Sequence, residues 1–176
     1  MNQRIKNYIC AVVSFCVLLF FDQYTKILAI KYLKDQAGIV LWKGVFELQY
    51  LENRGAAFGM MQNQRYFFLI MTAIVFVIMV YLYLVTPLTG KYLPLRLCMI
   101  VLSAGAVGNF IDRLFRRFVV DFFYFSLINF PIFNVADIYV TVTFFVLILL
   151  IFFYYKDEDL MIYSRKCRKE QQNEKK

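Results

Sequence analysis

The chain contains no histidine. That removes the imidazole on which Ser-His-Asp and Cys-His hydrolases depend. Its four cysteines, Cys10, Cys16, Cys98 and Cys167, show neither Cys-x-x-Cys nor Cys/His spacing. Neither a zinc site nor a disulfide framework can be read from them, and no metal or cofactor is expected. Three of the four lie in apolar runs, where buried structural thiols are expected. Charge is scarce as well, at 18% of residues, whereas 61% are hydrophobic. That apolar fraction lies above the soluble range and indicates an integral membrane protein whose spans pack against each other in lipid. No internal repeat of 20–50 residues is visible, as an inverted-repeat transporter would show.

Apolar runs define four spans: about Tyr8–Leu28, Tyr66–Thr86, about Leu95–Arg113 and about Ile132–Tyr155. The N-terminal MNQRIKNYICAVVSFCVLLFF has the basic start and apolar run of a signal peptide, but it lacks an A-x-A cleavage pattern and runs directly into DQYTK. A retained first span is expected. Pro87, Gly90 and Pro94 mark a short turn between the second and third spans. Ser103, Ala104, Gly105, Ala106 and Gly108 in the third allow helices to approach closely in lipid, or relieve crowding around a groove. The fold class expected is an all-α membrane protein with four transmembrane helices. Between the first and second, GIVLWKGVFELQYLEN offers β-type alternation for a small extracytoplasmic sheet. Residues 1–155 would form the membrane domain and 156–176 a basic, disordered tail.

The net charge of +8 is concentrated at chain ends and loops. It is read as topology charge rather than a nucleic-acid footprint. Arg4, Lys6, Lys91, Arg96 and the tail place both termini and the 87–94 turn in the cytoplasm by the positive-inside rule. Loops 29–65 and 114–131 then face outward.

One charge breaks the pattern. Asp137 is the only charged residue between Asp121 and Lys156. A carboxylate at the centre of a bilayer helix costs about 2.5–3.5 kcal/mol on insertion scales, so an intramembrane acid is a functional candidate. From Asp137 to Tyr155 a helix rises about 27 Å at ~1.5 Å per residue, close to the ~30 Å hydrocarbon thickness. Asp137 therefore belongs at the outer face. Asp22, late in the first span, Asn53 before the second, Asn109, Asp112 and Arg113 at the end of the third, Asp121 in the following loop, and Asn134 at i−3 from Asp137 all reach that same face. Asp22 also has Lys26 at i+4, so the two can form a snorkelling pair at a helix end. The asparagines can cap helices, and Asp112 with Arg113 can form a structural network. Asp121 and Asp137 lie among aromatic and aliphatic residues without an adjacent cation. Two such carboxylates brought together share one proton, an arrangement suited to acid–base activation of water against a carbonyl. A proton-coupled transporter and a non-catalytic scaffold are the rival classes. The first would place its carboxylates near the midplane, and the second gives no reason for two aspartates in apolar surroundings.

The segments DQYTK (22–26), ENRGAAFG (52–59), GAVGNFIDR (105–113), VVDFF (119–123) and FNVAD (133–137) occur in this order on four spans. In this the chain resembles bacterial lipoprotein signal peptidases, the signal peptidase II family, over about residues 8–155. The resemblance implies an inner-membrane aspartyl endopeptidase, with Asp121 and Asp137 as catalytic dyad. It implies Asp22, Asn53, Asn109, Arg113 and Asn134 as supporting residues. Lys26, Arg54, Gly55 and Ala136 lie in the same motifs and join the supporting set. Asp112 is expected to orient Arg113 and brace the helix end, and Phe58 and Gly59 to line the substrate groove. The substrate implied is a prolipoprotein with a diacylglyceryl-modified Cys, cut just before that Cys; nothing in the sequence demands more than a monomer. Two departures are mild: Ser103–Ala104 replace a Gly-rich run, and Arg54 occupies a variable position.

Overall fold

A computed structural model of the protein describes residues 2–55 and 64–163. Among the described residues four helices are long and apolar enough to cross a membrane. They are α1 (Gln3–Leu33), α2 (Arg65–Val85), α3 (Leu93–Phe115) and α4 (Val135–Leu149), the last continued by a π-helical turn over Leu150–Tyr154. The four-span reading holds, with ends displaced for local reasons. α1 runs past the expected Leu28 because Ala29 and Leu33 are buried in a cluster with Val120, Phe122 and Val135. α4 starts three residues later than expected because Asn134 caps it. The Asn134 side chain accepts the Asp137 N–H at 3.1 Å, and the Asp137 carboxylate accepts the Asn134 N–H at 3.1 Å, which is a capping box.

α3 is the centre of the bundle and packs against α1, α2 and α4. It buries Ser103, Ala104, Gly105 and Gly108. A Cβ on Gly105 would lie 2.7 Å from the Ala136 carbonyl oxygen, and one on Gly108 would collide with the Asp22 carboxylate. The small residues thus bring α3 against α1 and the start of α4, the close-approach role open to them in lipid. α2, by contrast, buries no residue, as suits a helix that is apolar on all sides.

Three antiparallel strands lie beyond one end of the bundle, in the order β1 (Ile39–Trp42), β2 (Phe46–Asn53), β3 (Val119–Tyr124). β1 and β2 form the expected hairpin, turning at Gly44 with φ +72°. The third strand was not expected. VVDFF was read as loop, yet it pairs with β2 and places Leu51 opposite Asp121 and Asn53 opposite Val119. An alternating strand buried on both faces reads as a plain apolar run, which hid it.

The first residues of the expected tail carry regular structure. Asp157–Leu160 form a short helix, α5, and Met161–Tyr163 a 3₁₀ turn. They dock on the end of the bundle away from the sheet. Lys91 pairs with Asp159, the Tyr92 hydroxyl donates to the Asp159 carbonyl at 3.0 Å, and the Thr86 and Tyr163 hydroxyls are bonded at 2.6 Å. Tyr92 and Tyr155 stack beneath them. The rest of the predicted tail, 164–176, lies outside the described residues.

Candidate active site

Where the sheet meets the bundle, a cleft of about 610 Å³ opens between α2, α3 and α4. Its polar end presents Asn53, Asn109, Arg113, Asp121 and Asp137; Met71, Val75 and Val140 contribute to an apolar wall running down into the bundle. The two aspartates come from different elements. β3 carries Asp121, which is 1% exposed, and the first turn of α4 carries Asp137. Asn53 and Asp121 are diagonal neighbours on one face of the sheet.

Three asparagines tie the carboxylates together. Asn53 donates to Asp121 Oδ2 at 2.9 Å. Asn134 donates to Asp121 Oδ1 at 2.6 Å and to Asn109 Oδ1 at 3.2 Å. Asn109 donates to Asp137 Oδ1 at 2.8 Å. Each carboxylate thereby accepts two N–H bonds, since Asp137 also takes the Asn134 backbone N–H. Burial, and after it the negative charge of Asp137, push the Asp121 carboxyl up to about 7; the bonds from Asn53 and Asn134 oppose the rise. The pair is therefore poised to hold one proton between its two carboxyls near neutrality.

Behind this face lies a second polar layer. Lys26, 0% exposed, donates to Asp22 Oδ2 at 3.0 Å, Asp112 Oδ2 at 3.0 Å and Asn109 Oδ1 at 2.9 Å. Asp22 is also 0% exposed, and its Oδ1 accepts the Ala136 N–H of α4 at 2.9 Å. Asp112 further pairs with Arg116 and accepts the Val120 N–H of β3 at 3.2 Å. One buried cation and two buried acids thus join α1, α3, β3 and the start of α4. Burial at this level is tolerable only with such complete pairing.

A family model described as signal peptidase (SPase) II matches residues 14–153. The chain belongs to the signal peptidase II family. It is 40% identical over 138 residues to a lipoprotein signal peptidase of Caldanaerobacter subterraneus subsp. tengcongensis, covering 78% of this chain and 92% of that one. It is 46% identical over 127 residues to that of Brevibacillus brevis, covering 72% and 83%. Two solved structures, each titled a bacterial membrane enzyme structure by the in meso method, share the fold. One, at 2.3 Å, has a TM-score of 0.72 and 29% identity over 81% of this chain and 87% of that one. The other, at 1.9 Å, has 0.71 and 28% over 83% and 94%.

Most of the candidate residues of this signal peptidase II family member converge. Asn53, Gly55, Asn109, Arg113, Asp121 and Asp137 line the cleft. Asn134 is buried against it, and Ala136 takes part through its backbone N–H. Three expectations differ from the structure. Asp112 does not orient Arg113: adjacent helix residues point in different directions, and Asp112 faces Lys26 and Arg116. Arg113 instead donates to the Gly55 carbonyl at 3.2 Å and lies over the Phe68 ring. Arg54 does not reach the cleft; its side chain is 59% exposed and pairs with Glu52. Nor do Asp22 and Lys26 snorkel, because both are sealed inside the bundle. Phe58 and Gly59 lie outside the described residues. Sequence reasoning missed Gln23, which donates to Asp22 Oδ2 at 3.0 Å and the Gly108 carbonyl at 3.1 Å, and Arg116. Both had a signal: Gln23 stands inside DQYTK, and Arg116 is four residues after Asp112, the spacing of a helix ion pair.

Proposed function

We propose that this protein removes signal peptides from diacylglyceryl-modified prolipoproteins as an aspartic endopeptidase, cutting just before the lipidated Cys. The observation that carries the reading is the pair Asp121 and Asp137 at the polar end of one cleft, each held by two N–H donors. Asp137, in the first turn of α4, acts as general base on a water. Asp121 holds the proton, polarises the scissile carbonyl, and then donates to the leaving amine. Each step moves one proton, so the pair ends the cycle with its charge restored. Arg113, lodged between the Gly55 carbonyl and Phe68, supports the wall along which the peptide backbone lies. The apolar wall formed by Met71, Val75 and Val140 suits the hydrophobic stretch of a signal peptide in the bilayer.

The positive-inside rule favours an orientation with Arg4, Lys6, Lys91 and Lys156 in the cytoplasm and the sheet outside. The cleft then opens at the outer face of the inner membrane, where the acyl chains of a lipidated Cys reside. A single chain suffices for this site, and we take the working unit as a monomer.

The test is cleavage of a diacylglyceryl-modified prolipoprotein by the purified protein in detergent, with Asp121→Asn, Asp137→Asn and EDTA as arms. Cleavage by the unaltered protein, indifferent to EDTA and abolished in both folded variants, is expected. Turnover retained in either variant would overturn the dyad.

A further inference from the structure

The polarity of the amide network is dictated by groups that can only donate. A side-chain amide can present either its oxygen or its NH₂ to a neighbour, so an asparagine beside a carboxylate is useful only if something fixes its direction. At Asn53 the Gly55 backbone N–H binds Oδ1 at 3.0 Å, which turns Nδ2 toward Asp121. At Asn134 the Asp137 backbone N–H binds Oδ1 at 3.1 Å, which turns Nδ2 toward Asp121 and Asn109. Both of those donors are backbone groups close in sequence. Asn109 sits within α3, where no backbone N–H is free to serve it. Its Oδ1 takes two side-chain donors instead, the Asn134 amide at 3.2 Å and, at the shorter 2.9 Å, the Lys26 ammonium, which reaches across from α1 and alone of the two can only donate. An ammonium has three protons and no acceptor. Its other bonds, at 3.0 Å each, go to Asp22 and Asp112.

We infer that Lys26 is a positioning residue of the peptidase centre: its buried ammonium fixes the Asn109 amide with Nδ2 toward Asp137. The inference rests on the aspartic dyad reading above. Lys26 touches neither carboxylate of the dyad among its hydrogen bonds and ion pairs. It acts through Asn109, while Asp22 and Asp112 balance its charge and keep the ammonium on target. The charged groups around the dyad are Asp22 and Lys26 from α1, Asp112 and Arg113 from α3, and Arg116 behind Asp112.

Lys26→Met alone would leave Asp22 without its cation and Asp112 with Arg116 only, so the test uses triples in which all three charges are removed. In Asp22→Asn/Lys26→Met/Asp112→Asn the ammonium is gone and Asn109 Oδ1 keeps only the longer bond from the Asn134 amide. In Asp22→Asn/Lys26→Gln/Asp112→Asn an amide N–H can replace the ammonium. Both are measured on the full chain in detergent with a diacylglyceryl-modified prolipoprotein, alone and combined with Asn109→Ala. The Met triple is expected to lose about 100-fold in kcat, the scale of a small misplacement at a reacting centre, with KM within about threefold. The Gln triple should recover most of that loss. Adding Asn109→Ala to the Met triple should cost nothing beyond Asn109→Ala itself, because both remove the same link. A folded Met triple with unaltered kcat, or losses that multiply on combination, would overturn the inference. If the Met triple does not fold, the Gln triple decides: near-normal kcat supports the assignment and a 100-fold loss overturns it. Cleavage surviving in Asp137→Asn would instead sink the dyad, whatever the triples do.

Discussion

Asp121→Asn separates electrostatics from packing in a way that pH can read. The Asp121 carboxyl is moved from an ordinary 3.8 to about 7. Between those values the folded protein holds a proton that the unfolded chain has released. The folded state then binds more protons, so stability falls as pH rises from about 4 to about 7 and levels off above. At ~1.4 kcal/mol per pH unit the fall is at most about 4 kcal/mol. Asparagine at this position cannot ionise and removes the slope. It also has one acceptor oxygen where the acid has two, and it faces two donors, Asn53 Nδ2 and Asn134 Nδ2. One of them loses its partner, at a cost of about 1–3 kcal/mol. The variant should therefore be less stable than the unaltered protein at pH 4 and more stable at pH 8.5. The two curves should cross between. The assay is the difference in Tm in detergent across that range, which cancels the titration of groups that do not interact with Asp121. At roughly 2–4 °C per kcal/mol for a chain of this size, the difference should swing by about 10 °C and change sign. A difference that stays constant with pH would refute the burial-driven displacement of Asp121.

Gly108→Ala drives a methyl group into the Asp22 carboxylate and should lower stability by about 1–3 kcal/mol, seen as a reduced Tm. Gly90→Ala, with open space around its Cβ position, is the comparison and should change Tm little. Asn134→Ala removes the α4 cap, worth about 0.5–2 kcal/mol, and one donor to Asp121. It should lose both Tm and turnover, and Asn134→Asp, although it can still cap α4, should restore neither, because a buried carboxylate would then face Asp121 in place of an N–H donor.

The spans were legible because lipid demands long apolar runs, and the depth of Asp137 followed from counting helical rise. The convergence of polar groups at one end was legible for the same reason: each sits at a known distance from a span end. What the sequence could not show was orientation around a helix axis among neighbours of equal polarity. Asp112 and Arg113 are adjacent, and periodicity places them about 100° apart, but nothing in the letters says which faces α1 and which faces the cleft. The strand of VVDFF was hidden because its burial on both sides erases alternation. Lys26 was legible as a partner of Asp22, yet its burial was not, since a lysine late in a span has the stem to reach the interface.

The packing explains why the lysine is not allowed to do so. α3 presents polar groups on two of its sides, Asn109 and Arg113 toward the cleft and Asp112 toward α1. A helix polar on two sides inside a bundle needs a partner behind as well as in front. Lys26 and Asp22 supply it, and Gly108 lets Asp22 come close enough to reach the Ala136 N–H at the start of α4. Asp137 stands one residue beyond that contact. The same few bonds that make the charged interior of the bundle tolerable therefore also set where the α4 carboxylate stands against Asp121. A change that weakens the rear layer should register at the dyad before it unfolds the bundle.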